Sequence, residues 1–92
     1  MTLTRGSFRS YEFDRNVILF SMVDGQREIP CAVSTLAMDG MESLASSRPS
    51  EREAQFMRLR DRIEAGADRK FAAMEFEGSP PGIVLRGLDF RS

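Results

Sequence analysis

Residues 50–74 read SEREAQFMRLRDRIEAGADRKFAAM, and this stretch decides the fold. Its apolar residues recur at steps of three and four, which places them on one stripe of a long helix: Phe56, Leu59, Ile63, Ala67, Phe71 and Met74. Ser50 and Glu53 have the spacing of a capping box, so we expect the helix to begin there. Gly66 interrupts the stripe mildly. An amphipathic helix of this length needs an apolar surface to cover, and a sheet face supplies one.

The residues before this helix predict a sheet. Residues 9–13 alternate in polarity like a short strand, and the apolar, β-branched run at 17–22 is the strongest strand signal in the chain. Asp24-Gly25 is typical of a tight hairpin turn, so residues 27–33 return beside it. Pro30 has no N–H, which places this returning strand at an edge there or gives it a bulge.

A short helix is expected next, with Ser34 as its N-cap and its end near Leu44. Leu36, Met41 and Leu44 suit its apolar face, and Gly40 weakens it. Residues 45–49 form a linker, and the glycine- and proline-rich residues 78–82 end the long helix. Residues 83–85 are a last strand, expected to pair with the N-terminal strands.

These elements predict an α+β fold in the order β-β-β-α-α-β. We expect two layers, a mostly antiparallel sheet of about four strands with the short and the long helix on one face. A chain of 92 residues suits a single domain over residues 1–92.

Composition excludes several function classes. The net charge is −1, which gives no general attraction to nucleic acid or to an anionic membrane. No apolar run approaches the length of a membrane span, and the first residues contain no apolar segment of a signal peptide. With one cysteine there is no intrachain disulfide, so the cytoplasm is the expected location.

The sequence contains no histidine, the commonest general base and metal ligand. It also has no glycine-rich phosphate loop. We therefore expect a protein that is not an enzyme and assign no catalytic, cofactor-binding or metal-binding residue. Cys31 shares the apolar face of its strand with Ile29 and Val33, which favours a buried, inert thiol over a reactive one beside Arg27.

Two charged stripes run along the long helix. The acidic stripe consists of Asp61, Glu64 and Asp68, and the basic stripe of Arg58, Arg62 and Arg69. The acids, or Asp89 near the end of the chain, could form a carboxylate-based site for a cation or small ligand, and the arginines could bind phosphate. The simpler interpretation is a solvated helix surface with pairs such as Arg60–Glu64 and Arg58–Asp61.

Tyr11, Phe13 and Phe20 lie on adjacent strands with Arg9 nearby. This arrangement resembles the stacking platform of proteins that bind single-stranded nucleic acid. The alternative is that these aromatic rings belong to the core, and the absence of a basic cluster favours it.

The chain resembles the small bacterial proteins grouped as domain of unknown function 1488. The matching residues are Arg9-Ser10-Tyr11, residues 17–20, residues 56–63, Ala67, Phe71 and Asp89-Phe90. Phe71 stands where a tyrosine is expected. The resemblance implies a two-layer α+β domain in a bacterium and no particular activity.

We therefore expect a small, non-enzymatic accessory or protein-interaction module, with a weak nucleic-acid-binding module or a carboxylate-based ligand site as the alternatives. The strand at 17–22 is apolar on both faces, whereas two helices cover one face. Leu3 and Phe8 of the N-terminal segment could cover the second face, or a second copy could, and the homodimer is slightly preferred. In that case Phe20→Asp or Met22→Asp should break it.

Overall fold

The computed structural model of the protein describes residues 3–42, 48–78 and 82–90. Its elements, in chain order, are β1 (Thr4–Glu12), β2 (Val17–Asp24), β3 (Arg27–Ser34), α1 (Thr35–Met41), a 3₁₀ turn (Pro49–Glu51), α2 (Arg52–Ala72), β4 (Ile83–Leu85) and a C-terminal 3₁₀ turn (Gly87–Phe90). The expected order β-β-β-α-α-β and the α+β class are confirmed.

The described strands form one sheet in the order β1-β2-β3-β4. The pairs β1–β2 and β2–β3 are antiparallel, and β4 joins β3 in parallel. Asp24 pairs with Arg27, so the hairpin has a two-residue loop. Gly25 takes φ 64° at the first loop position, where a type II′ turn favours glycine.

Pro30 lies in an interior strand, and the expectation of an edge holds only locally. Among the described residues, β4 pairs with Cys31, Ala32 and Val33 of β3 and stops short of Pro30. The backbone of Gly82 passes so close that a Cβ there would lie 2.4 Å from the Pro30 carbonyl oxygen. On its other side Pro30 stands opposite Ser21 of β2, and the antiparallel register of β2 and β3 continues past it.

Strand β1 is longer than predicted and irregular. Its register with β2 shifts between Arg5 and Phe8 and again between Phe8 and Ser10. Ser21 is buried at the first shift, where its hydroxyl accepts the Ser7 N–H at 3.0 Å. A Cβ on Gly6 would lie 2.3 Å from the Ser21 carbonyl oxygen, so this bulge requires glycine.

Helix α1 begins as predicted, because the Ser34 side chain accepts the Ala37 N–H at 3.0 Å. The predicted apolar face is partly wrong. Ala37 and Met38 are buried and Met41 packs against the core, whereas Leu36 is 78% exposed. Leu44 and residues 45–47 of the predicted linker lie outside the described residues, as do residues 79–81.

Helix α2 does not start with the predicted capping box of Ser50 and Glu53. Ser50 lies inside the 3₁₀ turn, and the Glu51 carboxylate instead accepts the Arg48 N–H at 3.1 Å. Pro49 at the first position of that turn suits its fixed φ. The apolar stripe is confirmed for its first four members, which are buried: Phe56, Leu59, Ile63 and Ala67.

The end of the stripe differs from the prediction. Phe71 is half-buried beside the core, and Met74 lies beyond the helix with 76% of its surface exposed. Met74 adopts φ 59°, the left-handed conformation that stops the helix before Gly78. Gly66 is buried, because the Phe90 ring packs where its side chain would be.

The core lies between the helices and one face of the sheet. Ile18, Phe20 and Met22 of β2 point into it and pack with Phe56 of α2. Leu3 and Phe8 also lie on this side. The expectation that they cover the second sheet face is therefore wrong, and so is the placement of Phe20 and Met22 on a dimer surface. All of these side chains already belong to the core under the helices.

The second face of the sheet is called the open face here. By strand alternation it carries the apolar residues Val17, Leu19, Val23, Ala32 and Val84, with Ser21, Glu28 and Pro30 on the same face. Val17, Leu19, Val23 and Val84 are half-buried, and Ala32 is buried.

Candidate functional site

The acidic stripe of α2 joins the helix to β1. Arg5 donates to Glu64 at 2.9–3.0 Å and to Asp61 at 2.9 Å, and Asp68 accepts the Leu3 N–H at 2.8 Å. Hydrogen bonds to Glu64 and Asp61 raise the pKa of Arg5. Asp61 and Glu64 share Arg5 as a donor, whereas Asp68 binds the Leu3 N–H at a separate point along the edge of the sheet. Their arrangement supports attachment of β1 and does not form a common ligand pocket.

The predicted pair Arg60–Glu64 is present at 2.9 Å, whereas Arg58–Asp61 is not, because Arg58 turns to Glu42. Arg60 also donates to the Gly6 carbonyl at 3.0 Å and so secures the first bulge of β1. Sequence spacing along one helix identified the pair within α2. It could not identify partners that the fold brings from α1 and β1.

The basic stripe has three different environments. Arg58 binds Glu42 at 2.9 and 3.0 Å and lowers the pKa of that carboxyl. Arg69 donates to the backbone oxygen of Asp89 at 3.0 Å. Arg62 has no carboxylate within ion-pair distance in the described part of the chain. The same holds for Arg69, so this side of α2 carries a local excess of positive charge.

Asp89 is a structural group. Its carboxylate accepts the Arg86 N–H at 2.7 Å and lies 3.2 Å from the Lys70 ammonium. Lys70 donates in turn to the Val84 carbonyl at 2.7 Å. These contacts attach the C-terminal 3₁₀ turn to α2 and to β4.

A groove opens where Arg62 faces α1 and the C-terminal 3₁₀ turn. It encloses about 400 Å³. We call it the helix groove, and its lining residues are Leu36, Ala37, Gly40, Met41, Arg62, Gly87 and Phe90. The sequence placed Leu36 and Met41 on a core face and gave no indication of the groove, because Phe90 and Gly87 reach it only through the folded C-terminus.

Two glycines leave space along the helix groove. A Cβ added to Gly40 or to Gly87 would meet no other atom within 4 Å. Neither residue has a positive φ that would require glycine. On this surface a side chain at either position would project into open space.

The predicted aromatic platform is not assembled. Phe20 is buried against Phe56, with ring centroids 5.1 Å apart, so no base can stack on it. Tyr11 is half-buried, and Phe13 is exposed at the turn with its ring 6.0 Å from that of Tyr11. Arg9 pairs with Glu28 of β3. The interpretation of these rings as core holds for Phe20 and fails for Phe13.

Cys31 is buried on the core side of β3, as expected. Burial raises the pKa of its thiol to about 12. Its sulfur donates weakly to the Ile29 carbonyl at 3.5 Å. A thiol in this state contains almost no thiolate at neutral pH, and the thiolate is the nucleophile.

A buried polar cluster joins α1 to the start of α2. Arg52 donates to Asp39 at 2.6 Å and to Gln55 at 2.7 Å, and Gln55 donates to Asp39 at 2.9 Å. All three are at most 6% exposed, and the Arg52 Nε has no hydrogen-bond partner among the described residues. The sequence contained a signal for this cluster, because Arg52 and Gln55 continue the apolar stripe of Phe56 and Leu59 toward the N-terminus.

The described residues contain no cluster of three side chains able to hold a metal ion. None of the described helices is long and apolar enough to cross a membrane.

The open face forms a shallow, largely apolar surface. Leu19, Ala32 and Val84 line a concavity there, with Arg15 and Glu77 at its border. The charged side chains near this face pair with each other, Arg9 with Glu28 and Arg15 with Glu12. Helices α1 and α2 both pack on the opposite side of the sheet.

Comparison with known proteins agrees with this fold. A search of curated proteins found no match. A crystal structure at 1.60 Å of a protein of unknown function from Shewanella loihica PV-4, of the DUF1488 family, superposes with a TM-score of 0.73. It is 15% identical in sequence, and the match covers 90% of this chain and 94% of that one. The family described as "Protein of unknown function (DUF1488)" matches residues 5–81. The chain therefore belongs to the DUF1488 family of proteins of unknown function.

Proposed function

We propose that this chain is a non-enzymatic protein-interaction module of the bacterial cytoplasm, one domain over residues 1–92, that works as a homodimer joined through its open face. The observation that carries the proposal is the apolar surface of Val17, Leu19 and Val84, which are only half-buried and lie on the side of the sheet away from both helices. Contiguous apolar patches of this kind mark interaction sites more often than free surface.

The pairing of charges supports a second copy as the occupant. Arg9 pairs with Glu28 and Arg15 with Glu12, so each charge near the face has an opposite charge in the same chain. A balanced face meets its own copy without like-charge repulsion, whereas nucleic acid needs an excess of positive charge. A two-fold axis, the commonest symmetry, would place Leu19 of one protomer against the same patch of its partner.

Pairing through strand edges is disfavoured. The exposed edge of β1 contains two register shifts and the charged residues Arg5 and Arg9. Bulges and charges are the features by which natural sheets prevent edge association. At the other end β4 has three residues, Ile83–Leu85, too short an edge for an extensive ladder. Face-to-face packing remains the preferred geometry.

The non-enzymatic part rests on the titratable groups. Asp61 and Glu64 form ion pairs with Arg5, and Asp89 forms one with Lys70. Each of these carboxylates therefore joins one element to another. Cys31 is buried with its pKa raised to about 12. The carboxylates already pair with cationic side chains of the same chain, and a thiol with a raised pKa contains little of the nucleophilic thiolate, so these groups fit structural roles better.

Light scattering of the purified protein tests the dimer. We expect a mass near twice the 10.4 kDa of one chain at micromolar concentration, and a monomer for Leu19→Asp. Leu36→Asp is the matched control, because it places the same charge at an exposed leucine of the helix layer. A wild-type mass of 10.4 kDa, or a Leu19→Asp variant that stays dimeric, would contradict the proposal.

A further inference from the structure

We propose that the helix groove is a docking site for a short peptide segment of another protein, one that carries a bulky apolar side chain next to a carboxylate. This site is separate from the open face, because the groove is built by the helix layer on the other side of the sheet. It requires no particular oligomeric state.

The apolar part of the groove is already exposed in the folded chain. Leu36 projects from α1 with 78% of its surface exposed, although its neighbours Ala37 and Met38 are buried. Met41 and Phe90 form further apolar lining. Leu88 is 73% exposed on the same 3₁₀ turn as Phe90. Single exposed leucines are ordinary, but apolar residues grouped around one concavity indicate a binding surface.

The charge of the groove identifies the chemistry of the partner. Arg62 lines it with no carboxylate partner in the part of the chain that the structure describes. Two turns further along α2, Arg69 binds only a backbone oxygen among the described residues. Glu42, the acid at the end of α1, is neutralised by Arg58. A carboxylate entering beside Leu36 would therefore meet an unpaired guanidinium, which binds carboxylates in a bidentate geometry.

The shape favours a peptide over a small molecule. Small-molecule sites bury most of the ligand surface, whereas this groove between α1 and the 3₁₀ turn is only partly enclosed. A peptide can insert one apolar side chain and leave its backbone in water. Gly40 and Gly87 keep the space free for it, since neither has a side chain to fill the groove.

A second copy is a poor occupant. Two-fold pairing through the helix groove would bring Arg62 of each protomer close to the other, and like charges oppose such contact. Nucleic acid is disfavoured as well, because Arg62 is the one cationic side chain among the described residues that line the groove. A partner segment with an apolar side chain and a carboxylate matches both the apolar lining side chains and the Arg62 guanidinium.

Fluorescence anisotropy of labelled synthetic peptides tests this. The probe is a blocked peptide that contains leucine and phenylalanine flanked by aspartates, and the matched probe replaces the aspartates by lysines. We expect saturable binding of the acidic probe alone. Arg62→Glu should weaken it by at least about tenfold, because attraction becomes repulsion. Gly40→Leu, whose Cβ would meet no other atom within 4 Å and whose side chain would project from a residue that lines the groove, should abolish it.

Two control variants separate the groove from the rest of the surface. Arg27→Glu makes the same charge change at the exposed hairpin, where Arg27 has only a 3.8 Å contact with Asp24, and should leave the affinity unchanged. Leu19→Asp, which tests the open face, should also bind normally. Failure of the dimer and failure of the groove therefore give different results.

The proposal is overturned by several outcomes. These are no saturable binding of the acidic probe, equal binding of the lysine probe, or wild-type affinity in Gly40→Leu. Binding of decanoate in place of the peptide would identify a site for free carboxylates with alkyl chains.

Discussion

Cys31 shows how strongly burial controls the reactivity of a single side chain. It lies under the helices on β3, and burial raises the pKa of its thiol to about 12. At neutral pH the reactive thiolate is therefore almost absent, since ionisation begins only at much higher pH. We expect a thiol reagent to label Cys31 slowly in native buffer and quickly in denaturant.

A matched control makes this measurement interpretable. Ser10 is exposed on β1, so Ser10→Cys in a Cys31→Ala background should react quickly in native buffer. Fast native labelling of the wild type, comparable with that control, would mean an accessible or activated thiol. The reactive-cysteine alternative would then return.

Met74 is a second residue of interest, because its backbone conformation should lower the free energy of unfolding by a measurable amount. Its φ of 59° ends α2, and the Glu75 N–H donates to the Lys70 carbonyl at 2.9 Å while the Met74 N–H donates to Phe71 at 3.0 Å. This hydrogen-bond pattern normally has glycine at the left-handed position. Met74 is exposed, so its side chain contributes few contacts in return.

We expect Met74→Gly to raise the free energy of unfolding by about 0.5–1 kcal/mol, because glycine removes the Cβ strain. Urea unfolding measures this change. Met74→Ala keeps the Cβ and loses the same side chain, so it should show no gain. Equal stability of the glycine and alanine variants would mean that the left-handed conformation is not strained here.

Residue periodicity predicted burial well where an element is regular. Phe56, Leu59 and Ile63 are buried as their spacing indicated, and so are Ile29 and Val33. The pattern failed at element ends. Leu36 fits the apolar spacing of α1, but this helix has only seven residues, and it turns Ala37 and Met38 toward the core and Leu36 toward solvent. Met74 fits the spacing of α2, but the helix had already ended.

At the scale of elements, the polar cluster at the junction of α1 and α2 determines how the helices join. Asp39, Arg52 and Gln55 exchange hydrogen bonds of 2.6–2.9 Å while almost fully buried. Removing one member of a buried ion pair leaves the other charge desolvated and uncompensated. Loss of one member of this cluster should therefore cost more than loss of an exposed ion pair.

We expect Asp39→Ala to lower the free energy of unfolding by about 3–5 kcal/mol, because Arg52 then keeps a buried, unpaired charge. The double variant Asp39→Ala, Arg52→Met should lose less than the single variant, since no charge remains to be desolvated. Glu28→Ala, which breaks the exposed pair with Arg9, is the control. A small effect of Asp39→Ala would mean that water reaches the cluster.

The element order could be predicted, and the contacts between elements could not. Asp24-Gly25 fixed the hairpin, and the stripe of α2 fixed the two-layer class. The parallel pairing of β4 with β3 depends on the position at which residues 83–85 return to the sheet after α2. The helix groove also depends on the position of this C-terminal segment, since Phe90 lines the groove while its ring packs on Gly66. Local patterns contain no information on such distant contacts.

At the scale of the whole molecule, the two proposed surfaces lie on opposite layers. The open face is a charge-balanced patch around Leu19, and the helix groove combines apolar side chains with Arg62, which has no carboxylate partner among the described residues. A dimer through the open face would leave both helix layers exposed and present two grooves. Two such sites on one particle bind a partner with repeated segments more tightly than one site does.

The proposed dimer has a thermodynamic consequence beyond its mass. If the open face is buried only by a second copy, folding is coupled to association, and the melting temperature must rise with protein concentration. A tenfold increase adds about 1.4 kcal/mol per dimer, or about 0.7 per chain. For a domain of this size that shifts the midpoint by about 3–5 °C. Leu19→Asp should melt at a temperature independent of concentration, and Leu36→Asp should follow the wild type. A wild-type midpoint that does not move between micromolar and millimolar protein would mean that the open face faces water in the folded chain, as one side of an antiparallel sheet can.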